Sequence, residues 1–276
     1  SHGSGLYAIP HIARAANHVI PAGGGFAPEY VLELIARWPG ATFFLAPTMV
    51  NRLVECAAAT RADAANLKTI VYGGGPMYLA DMRRALSAFG PKFVQIYGQG
   101  EAPMTITVLP KSMHIESADP HYLARLSSVG IARTDVEVRV VNELDEPLPA
   151  GEVGEVVCRG DVVMAGYWRD AQASADTLRG GWLHTGDIGS FDESGFLTLK
   201  DRSKDVIISG GSNIYPREVE EALLAHTAVA EVAVVGRRDR QWGEAVVAFV
   251  VAKPGASVTP AVLDEACRER MAGFKR

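Results

Sequence analysis

Thr69-Ile70-Val71-Tyr72-Gly73-Gly74-Gly75-Pro76 is an apolar, β-branched run that ends in three glycines and a proline, and Phe93-Val94-Gln95-Ile96-Tyr97-Gly98-Gln99-Gly100-Glu101 repeats the arrangement. Between them Leu79, Met82, Leu86 and Phe89 fall on one helical face, so the segment reads strand, glycine loop, helix, strand, glycine loop. Outward from it, Val31, Leu32, Leu34 and Ile35 predict a helix over Pro28 to Trp38. Ala41 to Leu45 reads as a short strand stopped by Pro47, and a further helix runs from Pro47 through Ala59. Strands alternating with helices predict an α/β fold with a largely parallel sheet and flanking helices over about residues 1–115. In such sheets the loops leaving the carboxyl ends of the strands are the usual ligand site.

The texture changes after about Lys111. Val136 to Val141 and Val153 to Arg159 alternate in polarity and are joined by the turn-rich Asn142-Glu143-Leu144-Asp145-Glu146-Pro147, which predicts an antiparallel hairpin within a small barrel or twisted sheet. Trp182 to Phe191 and Phe196 to Leu199 continue that character. Asp201-Arg202-Ser203-Lys204-Asp205 is then a charge run between two apolar strands, read as a hinge near Lys204. Beyond it Pro216 opens a helix with Glu218, Glu220 and Glu221 near its positive end. Val229 to Val235 and Ala245 to Val251 are β-branched strands, and Thr259-Pro260 caps a last helix. The expected organisation is a larger domain over 1–203, with its α/β part at 1–115 and its antiparallel β part at 116–203, and a small α+β domain over 204–276.

Composition narrows the function classes. The chain has 276 residues, 48% of them hydrophobic, which excludes intrinsic disorder for most of its length. A formal net charge of −5 supplies no basic field for nucleic acid or anionic lipid. No apolar run approaches the roughly 18 to 20 residues needed to cross a bilayer. Cys56, Cys158 and Cys267 lie far apart without a C-x-x-C pair, which argues against a disulfide framework or a cysteine metal site and for a reducing cytoplasm. The first residue is serine and the last helix is followed directly by Phe274-Lys275-Arg276, so both ends look cut.

None of the short mechanistic motifs is present: no G-x-x-x-x-G-K-[ST], no G-x-G-x-x-G between strand and helix, no H-E-x-x-H and no G-x-S-x-G. Taken singly, the glycine runs suit tight turns, and Glu101 suits a solvated helix cap. Taken in order, four blocks say more: Tyr97-Gly98-Gln99-Gly100-Glu101, then Gly151-Glu152-Val153-Gly154-Glu155 through Gly166-Tyr167-Trp168, then Gly181-Trp182-Leu183-His184-Thr185-Gly186-Asp187, then Asp201 to Asp205 with Gly210-Gly211-Ser212-Asn213-Ile214-Tyr215-Pro216-Arg217-Glu218-Val219-Glu220. In sequence and spacing they resemble successive core motifs of the adenylate-forming enzymes, which comprise the acyl-CoA synthetases, the nonribosomal adenylation domains and their relatives.

The resemblance implies roles at the matching positions. Gly74, Gly75 and Pro76 resemble the backbone cradle for adenine, with Tyr97 the ring against it and Gly98 following. Asp187 resembles the carboxylate on the ribose hydroxyls of ATP or AMP, assisted by Arg202, a use of an acidic residue that dinucleotide folds share. Glu101 resembles the residue that helps hold Mg²⁺ on the phosphates, as suits a hard oxygen ligand. His2, in His2-Gly3-Ser4-Gly5, matches a histidine beside the acyl carboxylate. Lys204 aligns with the pivot of the small domain, and Gly210-Gly211 with a loop lining the path of coenzyme A. One departure is Gly100, where the family usually has a threonine whose hydroxyl meets a phosphate. The phosphate loop of the family would precede Ser1 and its adenylation lysine would follow Arg276, so the chain by itself is expected to be close to inactive.

The implied parent is an acyl-CoA synthetase that joins a carboxylic acid, ATP and coenzyme A. An amino-acid or aryl-acid adenylation domain serving a carrier protein is the alternative, as is an inert nucleotide-binding scaffold. An amino-acid pocket needs a carboxylate for the substrate ammonium, and from Ser1 to Asn51 the only acids are Glu29 and Glu33, both in a predicted helix. That favours an aromatic or fatty acid. A homo-oligomer is left open.

Overall fold

The computed structural model describes residues 2–22 and 24–271, the side chains of residues 2–4 excepted. Its chain divides into two compact units, each assembled from separate stretches: Ser1–Val138, Arg159–Ala175 and Gly195–Leu197 in the first, Arg139–Cys158, Asp176–Ser194 and Thr198–Arg276 in the second.

The first unit runs through α1 (His2–Ala13), α2 (Pro28–Arg37), β1 (Ala41–Leu45), α3 (Pro47–Thr60), β2 (Leu67–Tyr72), α4 (Leu79–Phe89), β3 (Phe93–Gln99), β4 (Ala102–Leu109), α5 (Tyr122–Ser127) and β5 (Ile131–Ala132), and takes in most of α6 (Ala171–Thr177). Both α2 and α3 open on a proline, where the missing N–H would have had no helical partner in any case. Their apolar stripes, Leu32 and Ile35 on α2 and Val50, Leu53 and Val54 on α3, join Met82 and Phe89 of α4 over Ile70 and Phe93 of the sheet. The strand order is β1-β2-β3-β4-β5.

That sheet is parallel from β1 through β3, as an α/β fold implies, and antiparallel beyond it. β4 returns antiparallel to β3, and β5 antiparallel to β4. The reason is length: only Gly100 and Glu101 separate β3 from β4, and a parallel return needs a crossover of roughly a dozen residues. Glu101 therefore sits at a hairpin tip.

Under this sheet the Tyr72 hydroxyl donates to His114 Nε2 at 3.0 Å, while His114 Nδ1 donates to the Pro110 carbonyl at 3.0 Å. The imidazole is 1% exposed, and burial lowers its pKa to about 4 against an ordinary value of 6.5. Between those values the unfolded chain binds a proton that the folded chain does not, so stability present above pH 6.5 is lost as pH falls toward 4. The slope from this one group is about 1.4 kcal/mol per pH unit, or roughly 3 kcal/mol over the window. Melting temperatures followed from pH 7 to pH 4.5 should fall less steeply for His114→Gln than for the parent chain. Equal slopes would remove His114 as the cause.

The second unit holds two antiparallel sheets. One is β6 (Glu137–Val141), β7 (Gly154–Arg159), β8 (Leu183–Phe191) and β9 (Leu197–Arg202), in that order, with a few strand-end residues counted in the first unit. The other has the order β11-β10-β13-β12, built from β10 (Ile207–Ser209), β11 (Ser212–Ile214), β12 (Val229–Asp239) and β13 (Gly243–Ala252). Its helices are α7 (Pro216–Leu224) and α8 (Pro260–Arg270), again opened by prolines, and Thr259 caps α8 by accepting the Val262 amide. Ile207, Ile214, Val219, Leu223, Val234 and Cys267 form the core. The compact units thus do not divide at Lys204. Residues 198–276 group with most of the β6 to β9 sheet, and within this unit Lys200 Nζ lies 3.3 Å from Glu218 Oε1 and Asp201 Oδ2 accepts the Arg217 amide at 3.1 Å. The end of β9 is tied to the first turn of α7. No helix among the described residues is long and apolar enough to cross a membrane.

Candidate functional site

In the first unit the glycine loops leave the carboxyl ends of the parallel neighbours β2 and β3. Gly73 is glycine because a Cβ there would lie 2.4 Å from the Ile96 carbonyl oxygen, so the loop after β2 runs hard against β3. Gly74, with φ +80°, Gly75 and Pro76 follow as an exposed stretch of backbone. A Cβ on Gly75 would make only ordinary contact with Pro47. Tyr97 is 8% exposed, so of these residues Gly74 to Pro76 offer the open surface.

The next loop is shaped by a large bulge. Tyr97 pairs with Thr107 and Gln99 with Ala102, which leaves Gly98 facing Pro103 to Ile106. A Cβ on Gly98 would lie 2.4 Å from the Met104 amide nitrogen and 2.6 Å from the Ala102 carbonyl oxygen. Gly98 is required by that close approach, whereas a Cβ on Gly100 would meet nothing within 4 Å. The Glu101 carbonyl accepts the Met164 amide at 2.8 Å, and its carboxylate accepts the Tyr167 hydroxyl at 2.6 Å. Tyr167 is a contact the sequence reading did not assign. It belongs to the Gly166-Tyr167-Trp168 block, and an aromatic hydroxyl after Gly166 is the available signal. No group of three metal-ligating side chains occurs among the described residues. A carboxylate at a hairpin tip is a donor of the type that Mg²⁺ takes, since that ion keeps several waters and is held through one or two carboxylates together with phosphate oxygens.

In the second unit Asp187 lies on β8 at 6% exposure, and its Oδ1 is 2.8 Å from Arg202 Nε on β9. The fold brings these two residues of separate motifs together. Asp187 sits at the end of a second bulge, since Glu155 pairs with Ile188 and Val157 with His184, leaving Val156 opposite Thr185, Gly186 and Asp187. A carboxylate so placed, with a guanidinium contact, can accept hydrogen bonds from the hydroxyls of a neighbouring polyol.

Lys204 is exposed within a single 3₁₀ turn, Ser203–Asp205, between β9 and β10. Beside it, burial pushes the Asp201 carboxyl above the usual carboxylate range, although the Arg217 and Arg202 amides that it accepts act in the opposite sense. Gly210 and Gly211, at φ +56° and +79°, form the two-residue turn of the β10–β11 hairpin, a conformation that selects glycine without reference to any ligand. Gly210 donates its amide to the Trp242 carbonyl at 2.8 Å, and the Trp242 ring closes over it. Gly74 to Pro76, Tyr97, Gly98 and Glu101 thus belong to one unit, and Asp187, Arg202, Lys204, Gly210 and Gly211 to the other. The side chain of His2 lies outside the described residues.

The chain is 36% identical over 276 residues to the medium/long-chain-fatty-acid–CoA ligase FadD8 of Mycobacterium tuberculosis, covering 100% of the chain and 47% of that protein. Among solved structures, the amide bond synthetase McbA of Marinactinospora thermotolerans superposes with a TM-score of 0.84 at 39% identity, over 91% of this chain and 50% of that one. The o-succinylbenzoate CoA synthetase MenE of Bacillus subtilis, solved with its acyl-adenylate intermediate, gives a TM-score of 0.84 at 32% identity over 99% of this chain and 53% of its own. The chain spans about half the length of the curated relatives it matches. Residues 1–168 match the model of the AMP-binding enzyme and residues 218–276 that of the AMP-binding enzyme C-terminal domain. With more than half its length inside the first of these, the chain belongs to the AMP-binding enzyme family.

Proposed function

We propose that this chain is part of an ATP-dependent acyl-CoA synthetase acting on an aromatic or fatty acid. In the reaction a carboxylate oxygen attacks the α-phosphorus of ATP and pyrophosphate leaves; the coenzyme A thiolate then attacks the acyl carbon and AMP leaves. The observation that carries the reading is the buried Asp187 carboxylate paired with Arg202 in a chain of this family. Asp187 takes the ribose hydroxyls. In the first unit, Gly74, Gly75 and Pro76 offer backbone to the adenine, with Tyr97 and Gly98 beneath, and Glu101, held by Tyr167, is the ligand for Mg²⁺, which would neutralise phosphate charge. His2 is assigned to the acyl carboxylate, and Gly210-Gly211 to the coenzyme A path. Scarcity of acids in the first 51 residues supports an acid without an ammonium group. The three cysteines are all free thiols, which suits a reducing cytoplasm.

Lys204 is the pivot on which residues 204–276 turn between the two half-reactions. Lys204→Pro fixes φ near −65° at this position and hinders rotation about it. In the full-length protein it should lower thioester formation more than ATP–pyrophosphate exchange. Equal losses would make the residue a linker. The test of the whole reading is acid-dependent thioester formation from ATP and coenzyme A. Product that appears only with an amine in place of coenzyme A would move the protein toward amide synthesis.

A further inference from the structure

The bulge that carries Asp187 leaves β8 with backbone groups that the β7 ladder cannot pair, and side chains of the same two strands pair them. Thr185 Oγ1 donates to the Val156 carbonyl at 2.6 Å and accepts the Asp187 amide at 3.1 Å. The Gly186 amide, at φ +67°, donates instead to Glu155 Oε1 at 3.0 Å. The other oxygen of Glu155 accepts from His184 Nδ1 at 2.9 Å and lies 3.3 Å from Arg179 Nη2. His184 is enclosed, with a side chain 5% exposed, and Glu155 is 23% exposed. One carboxylate therefore grips β8 on both sides of Thr185, just before Asp187. Two acceptor oxygens on a short stem are what this grip requires, since both of the groups it holds are donors.

We propose that Glu155 is a positioning residue for Asp187: it holds the Thr185–Asp187 bulge in the shape that turns the Asp187 carboxylate onto Arg202 and toward the ribose. This rests on the reading of Asp187 as the ribose ligand. Glu155 does not touch the nucleotide in this scheme. It acts through the backbone of Gly186 and the ring of His184, and Arg179, which also bonds Asp145 at 3.3 Å, steadies it from outside. A bulge beside a functional side chain is a common way for a strand to re-aim that side chain.

A double-mutant cycle on the full-length protein, read as AMP affinity by calorimetry with melting curves as a folding control, tests the proposal. Glu155→Ala should weaken AMP binding about fivefold or more, in the range of couplings between residues in contact, and should cause no further loss in an Asp187→Ala background. Glu155→Gln, which keeps an oxygen for the Gly186 amide but none for the His184 ring, should recover only part of the affinity. Glu155→Asp keeps the charge but shortens the reach by one CH₂, and should behave like alanine; it replaces the alanine variant if that fails to fold. Losses that add across the cycle, or a Glu155→Ala or Glu155→Asp protein of native affinity, would overturn the proposal. If Asp187→Ala alone leaves AMP affinity unchanged, the ribose assignment itself fails, and that result is separable from the others.

Discussion

Replacing Asp187 with alanine is expected to weaken AMP and ATP binding by about ten- to a hundredfold while changing the melting temperature little. A charge-assisted hydrogen bond contributes roughly 1.5 to 3 kcal/mol, which converts to that range of dissociation constants. The folding cost is small because the partner left behind, Arg202, has a side chain 49% exposed and stays hydrated without its carboxylate. Calorimetric titration with AMP and a melting curve, both on the full-length protein, separate the two effects. Native affinity in the variant would return Asp187 to a purely structural role at the end of its bulge.

The same substitution made two residues apart should give opposite results in the first unit. In Gly98→Ala the new Cβ meets the Met104 nitrogen and the Ala102 oxygen at 2.4 and 2.6 Å, both backbone atoms that cannot rotate away. Overpacking of this kind costs about 1 to 3 kcal/mol, and contact with fixed backbone on two sides places Gly98→Ala at the upper end. Relief would have to come from the β3–β4 hairpin, which carries Glu101, so Mg²⁺-dependent ATP affinity should fall with stability. Gly100→Ala places its Cβ in open space and should leave the melting temperature unchanged. Denaturation of the 276-residue chain and its two variants in parallel checks this contrast. Equal stabilities would mean that the bulge opposite Gly98 gives way without cost.

Much of the architecture was legible in the sequence because its signals are local. Four helices open on prolines, and the apolar stripes of α2, α3 and α4 have the period that burial against a sheet demands. β4 was not read, since Pro103 interrupts its run and signals a break; the chain tolerates it by placing it in the bulge opposite Gly98. α1 escaped notice because Gly3, Gly5 and Pro10 dilute a helical pattern. The contacts of Lys200 with Glu218 and of Asp201 with Arg217 were not readable, since they join residues 16 to 18 positions apart without a periodic pattern.

The site shows the same division. Asp187 and Arg202 could be singled out in advance through the motifs around them. Tyr167 on Glu101 and Glu155 on Gly186 could not, because those contacts join residues 66 and 31 positions apart, and neither spacing leaves a periodic mark. The glycines also carry more than one meaning. Gly210 and Gly211 are explained by a hairpin turn before any ligand is invoked, and Gly98 by a backbone crossing. Tests of function therefore belong on Asp187 and Glu101, where a side chain and not a backbone shape is the group under test.

The most direct measurement is ATP–pyrophosphate exchange by the full-length protein across a panel of aromatic, aliphatic and amino acids. The account predicts exchange that depends on a carboxylic acid without an ammonium group and that falls at least tenfold in Asp187→Ala at subsaturating ATP, following the affinity loss given above. Exchange supported only by amino acids, or none above a no-enzyme control with any acid, would contradict it.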